Sequence, residues 1–157
     1  MHLSTKGRYA VMALADLAGR QTVGCECGPV CLAEIAERQR LSLAYLEQLF
    51  AKLRRAGLVT SARGPGGGYR LARASDAIPI AAIVAAVDEP MQATRCEQGG
   101  AGCVNGAEKC QTHDLWAELG RQIEFFLSGV TLADVVLGRV AGRAARIAPA
   151  LDALAAD

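Results

Sequence analysis

The sequence predicts a mainly α-helical protein: a winged helix-turn-helix domain with a small β-hairpin wing, followed by a long helix. Three observations predict it. Apolar residues make up 52% of the 157-residue chain and aromatics only 4%, with alanine abundant, a composition that favours helices over a β-sandwich. Three apolar stripes at helical spacing lie before residue 56. A glycine- and proline-rich turn between two short strand-like runs follows directly.

Over residues 5–19, Val11, Leu14, Leu17 and Ala18 recur at helical spacing and Gly19 is a stop signal. Residues 20–30 read as a loop containing Gly24, Gly28 and Pro29. A short helix over 31–38 carries Leu32, Ile35 and Ala36. In the strongest helix, Ser42 is the N-cap and Leu46, Leu49, Phe50 and Leu53 form a full stripe. Lys52, Arg54 and Arg55 suit the last turn, and Gly57 ends it. Residues 58–61 and 69–71 read as strands joined by Arg63-Gly64-Pro65-Gly66-Gly67-Gly68, a tip that can approach another surface closely. Pro79 opens the next helix at its first position, with Ile80, Ile83, Val84 and Val87 on the apolar side. Residues 88–111 lack periodicity and carry three cysteines; an unstructured stretch of that length in a small protein is usually functional. From about Thr112, Leu115, Trp116, Leu119, Ile123, Phe126 and Leu127 make a long amphipathic helix, and Thr131 to Asp134 has the form of a capping box. A tail rich in Ala and Arg follows from Arg139.

Net charge is +1, but it is unevenly spread. Met1 to Arg73 holds eleven Lys/Arg against five Asp/Glu, a net of +6, and Ala74 to Asp157 holds six against eleven, a net of −5. A basic first half points to a polyanionic partner. On the exposed face of the strongest helix, Gln48 suits a two-pronged contact to adenine, and Tyr45 can reach a base or a phosphate. Ser42 can bond a phosphate, and Lys52 can neutralise one. Glu47 either accepts from cytosine N4 or repels, so it bears on selectivity. Arg63, beside Gly64 and Gly66, sits where a wing enters the minor groove. The same residues could be plain surface groups, since few helix side chains reach base edges. The glycine-rich tip lacks the Lys-Ser/Thr and the following helix of a phosphate loop.

No apolar run approaches the ~20 residues that span a bilayer, and the first residues have no signal-peptide core, so a cytoplasmic protein without membrane contact is expected. Six cysteines in that compartment point to metal or redox chemistry and away from disulfides. Cys96, Cys103 and Cys110 are separated by six residues each, and His113 follows at the helix start. The tight C-x2-C knuckles of structural zinc are absent, and wide glycine-rich spacing suits an iron–sulfur cluster. His113 alone could be a surface residue. Cys25, Cys27 and Cys31 allow two readings: a second thiolate site for a soft metal or redox modification, or three adventitious thiols with Cys31 partly buried at a helix start.

Residues 4–10 (STKGRYA), 43–50 (LAYLEQLF), 63–69 (RGPGGGY), 94–96 (TRC) and 110–116 (CQTHDLW) resemble the IscR-type iron–sulfur cluster transcription regulators, over roughly residues 1–137. The resemblance implies a winged-helix domain over 1–87, a cluster-binding loop over 88–111, dimerisation helices over 112–138 and a tail over 139–157. It implies a homodimer on double-stranded DNA with a 2Fe–2S cluster held by Cys96, Cys103, Cys110 and His113. The cluster-assembly machinery would be the cluster donor, and cluster-assembly genes the target. It further implies DNA contacts by Ser42, Tyr45, Gln48 and Arg63, with Glu47 excluding one class of site when the cluster is absent. This chain departs from the family in three ways: six residues between successive cysteines where the family has five, Arg40 where the turn before the recognition helix usually has glycine, and the extra cysteines near residue 25. Arg40 would be strained if that turn is left-handed. The alternative reading is a zinc-stabilised winged-helix DNA-binding protein without cluster sensing. A redox enzyme ranks last, because no Ser/His/Asp set, paired carboxylates or nucleotide loop is present.

Overall fold

A computed structural model describes residues 5–21, 28–64, 66–87 and 110–140. Helix α1 (Thr5–Gln21) is followed by α2 (Leu32–Gln39), α3 (Leu43–Arg55), strands β1 (Val59–Ala62) and β2 (Gly68–Leu71), a short 3-10 turn (Ser75–Ala77), and helices α4 (Ile80–Val87), α5 (His113–Gly129) and α6 (Leu132–Val136). This is the winged helix-turn-helix order with a long helix appended. The two strands pair antiparallel with Val59 opposite Leu71 and Ala62 opposite Gly68.

The stripe residues do what their spacing predicts. Leu46, Leu49, Phe50 and Leu53 of α3 are buried with Leu14 and Leu17 of α1, Ile35 of α2 and Ile83 of α4. Burying each such side chain contributes about 1.5–3 kcal/mol. Helix α1 is central, packing against α4 and α6 as well as against α2, α3 and β2. Its approach to α4 is close: a Cβ on Gly7 would lie 3.3 Å from Val84.

Helices α2 and α3 end in the same motif. At the end of α3, Gly57 has φ +67°, Gly57 N–H donates to Arg54 O (3.0 Å), and Leu58 N–H donates to Leu53 O (3.0 Å). At the end of α2, Arg40 has φ 52°, Arg40 N–H donates to Glu37 O (3.3 Å), and Leu41 N–H donates to Ala36 O (2.9 Å). The left-handed turn expected at Arg40 is therefore present, filled by a residue with a Cβ.

Several local expectations shift. Helix α1 runs past Gly19 to Gln21, because tertiary contacts hold the extra turn: Gly19 faces Val136, and Gln21 Oε1 accepts from Leu71 N–H (3.1 Å). Pro79 is not the first helical residue. It pairs as a β-bridge with Thr131, while Ile80 N–H donates to Val130 O (2.9 Å) and Leu132 N–H donates to Ile78 O (2.8 Å). That pairing draws Pro79 into extended backbone and ties the end of α5 to the start of α4. Ser42 stands at the N-cap of α3, yet its hydroxyl makes no capping bond. The capping box of α6 forms as expected: Thr131 Oγ1 accepts from Asp134 N–H (3.2 Å) and Asp134 Oδ2 accepts from Thr131 N–H (3.0 Å). Cys31 is exposed, not partly buried, because it precedes α2 and the buried stripe begins at Leu32. Cys25, Cys27, Pro65, residues 88–109 and the tail from 141 lie outside the described residues.

Candidate nucleic-acid interface and metal-ligating segment

The apolar stripe of α3 fixes which face is left over. With Leu46, Leu49, Phe50 and Leu53 buried, Ser42, Glu47 and Gln48 are exposed, and Leu43 and Ala44 join them at the helix start. The side chains of Glu47 and Gln48 make no hydrogen bond among the described residues, so both polar heads are available to a partner. Tyr45 is half-buried and lies edge-on to Tyr9, with ring centroids 6.0 Å apart. Lys52 is also half-buried, and its ammonium donates to Val87 O (3.0 Å) at the end of α4. This differs from the solvent-facing phosphate contact expected from its place on the helix.

The wing follows α3 and is joined to its last turn, where Arg54 Nη1 donates to Ser61 Oγ of β1 (3.4 Å). Arg63, Gly64 and Gly66 are exposed, and the two glycines have φ +104° and +72°, which L side chains adopt at a cost. The base of the wing is held on both sides. Val30 and Tyr69 exchange backbone hydrogen bonds (2.9 and 2.8 Å), and Tyr69 packs edge-on against Phe50 of α3 with centroids 4.9 Å apart. A Cβ on Gly68 would fall on the Val30 carbonyl, and one on Gly67 would lie 2.6 Å from Ala62 O. The glycines thus do two jobs: Gly64 and Gly66 turn the tip, and Gly67 and Gly68 let backbones pass.

A clamp between α1 and α2 went unnoticed in the sequence. Arg38 Nη2 and Nε donate to the Asp16 carboxylate (2.6 and 3.0 Å), and Gln39 Nε2 adds a third donor (3.3 Å). Burial pushes the Asp16 carboxyl up. The bonds from Arg38 and Gln39 and the charges of Arg38 and Arg20 outweigh that and hold it below its ordinary value of 3.8. Asp16 is the one acidic residue in α1, the only signal that could have marked it.

Of the four expected metal ligands, two lie among the described residues. Cys110 is half-buried immediately before α5, and its carbonyl accepts from the backbone N–H of His113 (2.9 Å), the first residue of that helix. The Cys110 Sγ lies 3.6 Å from Thr112 Oγ1. One turn of chain therefore carries both a thiol and an imidazole. Cys96 and Cys103 are outside the described residues, and the described residues alone hold no group of three metal-ligating side chains.

Helix α5 leaves a large apolar surface. None of its residues is buried; Leu115 is 62% and Phe125 79% exposed, and Trp116 and Phe126 are exposed beside them. No described helix is long and apolar enough to cross a membrane.

Comparison with known proteins accounts for this combination. The chain is 54% identical over 136 residues to the HTH-type transcriptional regulator IscR of Erwinia tasmaniensis, covering 87% of this chain and 79% of that protein. Against the solved structure of T. potens IscR the TM-score is 0.68 at 38% identity, covering 88% of each chain. Against CymR, the global cysteine regulator of B. subtilis, it is 0.70 at 33% identity, covering 87% of this chain and 96% of that one. These relatives are transcription regulators and not enzymes. Residues 3–137 match the family described as Rrf2, iron-dependent transcriptional regulator, and the chain belongs to that family of winged-helix, DNA-binding regulators.

Proposed function

We propose that this regulator senses iron–sulfur status through a 2Fe–2S cluster held by Cys96, Cys103, Cys110 and His113. Cluster occupancy would alter which DNA sites it prefers, with cluster-assembly genes as targets and the assembly machinery as cluster donor. The observation that carries this reading is the pairing of Cys110 and His113 within one turn at the start of α5. A thiol and an imidazole are suited to a mixed-ligand iron–sulfur site, and the half-burial of both suits a centre partly shielded from solvent. When bound, such a cluster would supply a redox-active, oxygen-sensitive charge.

The chain's own residues do the rest. Cys110 and His113 join the cysteine segment to α5. The bare apolar face of that helix suits a two-fold partner, a second copy of this chain, in the cytoplasm. A homodimer presents two α3 helices to two half-sites of double-stranded DNA. On each, Ser42 and Tyr45 serve the backbone, Gln48 a base edge and Glu47 selectivity, while Arg63, Gly64 and Gly66 bring the wing to the minor groove.

The test is an absorption and circular-dichroism spectrum with iron, sulfide and zinc analysis. It compares anaerobically purified protein with a Cys96/Cys103/Cys110→Ala variant. Visible charge-transfer bands with about two irons and two sulfides per chain, lost in the variant, are expected. A colourless protein that takes up no iron on reconstitution ends the cluster reading, and stoichiometric zinc in its place supports the zinc-stabilised alternative.

A further inference from the structure

Helix α4 is held at both ends by other parts of the chain. Its start is tied to the end of α5 by the Ile80–Val130 and Leu132–Ile78 backbone bonds. Its last residue, Val87, is buried, and the carbonyl of Val87 accepts from Lys52 Nζ across 35 positions of sequence. A C-terminal carbonyl has no partner within its own helix, and an ammonium there meets the negative end of the helix dipole. In the sequence, Val87 is followed by the stretch bearing Cys96 and Cys103, which leads to Cys110. One hydrogen bond thus joins the recognition helix to the doorstep of the cysteine segment. The place of Lys52 on α3 supports a role away from DNA. It is half-buried in the last turn, about 15 Å along the axis from Ser42 at the reading end.

We infer that Lys52 is a positioning residue that fastens α3 to the end of α4, so that a change of cluster occupancy at Cys110 and His113, carried by α5 to α4 through the Ile80–Val130 tie, reaches the recognition helix. It is not a phosphate contact. This inference rests on the cluster-sensing reading above for the source of that change. Freeing the ammonium would leave α3 able to bind DNA but uncoupled from cluster occupancy.

The experiment compares wild type, Lys52→Met and Lys52→Arg, each cluster-loaded and cluster-free. The probes are a duplex selected from a random pool on loaded wild-type protein and an unrelated duplex of equal length, titrated by fluorescence anisotropy at several salt concentrations. In wild type, affinity for the selected duplex should differ between loaded and free forms. Lys52→Met should bring that ratio to about one with the salt slope on the unrelated duplex unchanged, and Lys52→Arg, which can still donate, should restore it. Hydrogen exchange of the cluster-free Met variant should show faster exchange at the α3–α4 contact, a readout independent of any metal. If Lys52→Met keeps the wild-type ratio, weakens both duplexes alike and lowers the salt slope by about one, Lys52 is a phosphate contact and the inference is overturned. If wild type itself shows no difference between loaded and free forms, the cluster reading fails first and takes this role with it. Should circular dichroism show Lys52→Met unfolded, Lys52→Gln replaces it and is judged by the same ratio and slope.

Discussion

At the residue scale, two side chains carry measurable consequences that differ in kind. Arg40 closes α2 in the left-handed region, where a Cβ crowds the backbone. Gly57 closes α3 in the same motif without that crowding. Arg40→Gly relieves the strain, offset in part by the greater freedom of glycine in the unfolded chain. The expected result is a gain of about 1 kcal/mol in urea unfolding, and a loss of stability would show that the Arg40 side chain has a role the strain argument overlooks. Asp16 works through charge. Its carboxyl is held below 3.8, so its contribution to stability is fully present above that value and is lost as pH falls through the lowered folded value. Asp16→Asn should cost about 1–3 kcal/mol near neutrality. It should also flatten the loss of stability that wild type shows on acidification below about pH 4. Equal acid sensitivity in both proteins would remove Asp16 from the account.

At the scale of elements, the wing is a hairpin whose position depends on a segment far from it in sequence. Val30 adds a bridge to the outer side of β2, and only a glycine at 68 allows the two backbones to come that close. Gly68→Ala should therefore separate Val30 from Tyr69, costing about 1–3 kcal/mol and loosening the wing. DNA affinity should fall by more than the stability loss explains, seen as weaker binding at temperatures where the variant remains fully folded. Unchanged affinity in folded protein would show that the wing needs no support from residues 28–31. The neighbouring 31–39 region follows the same logic: Arg38 and Gln39 reach back to Asp16, so α2 is oriented by α1 before it presents α3 to DNA.

For the whole molecule, the unpartnered face of α5 is the feature that a single chain leaves unresolved energetically. A 79%-exposed Phe125 beside exposed Phe126, Trp116 and Leu115 is a patch that water disfavours and a second copy would cover. Phe125→Glu should convert a dimer to a monomer by analytical ultracentrifugation. It should weaken binding to a two-half-site duplex by about 100-fold while leaving the thermal unfolding of the winged-helix domain nearly unchanged. A variant that stays dimeric would move the interface elsewhere. The α5–α4 tie at Val130 and the Lys52–Val87 bond together link α5 to the recognition helix.

What was legible in the sequence was whatever is decided within about one turn of chain. The stripe of α3, the glycine stop at Gly57, the Thr131–Asp134 box and the turn-forming glycines of the wing depend on near neighbours, and each was readable from spacing alone. The left-handed turn at Arg40 was suggested only by the family resemblance, which usually has glycine there. Gly19 looked like a stop but lies inside α1, because Val136 and Leu71, both at least 50 residues away, hold the helix end in place. Pro79 was drawn out of α4 by Thr131, and Cys31 was left outside the buried stripe. The Asp16–Arg38 clamp and the diversion of Lys52 from solvent to Val87 were likewise invisible in periodicity. Periodicity reports which face of an element is buried; it holds no information on which distant donor or carbonyl that face will meet. Composition, pattern and motif determined the winged-helix fold and the kind of regulator this is. Only the packed tertiary structure decided where its charged side chains spend their hydrogen bonds, because those partners come together only after the helices have docked.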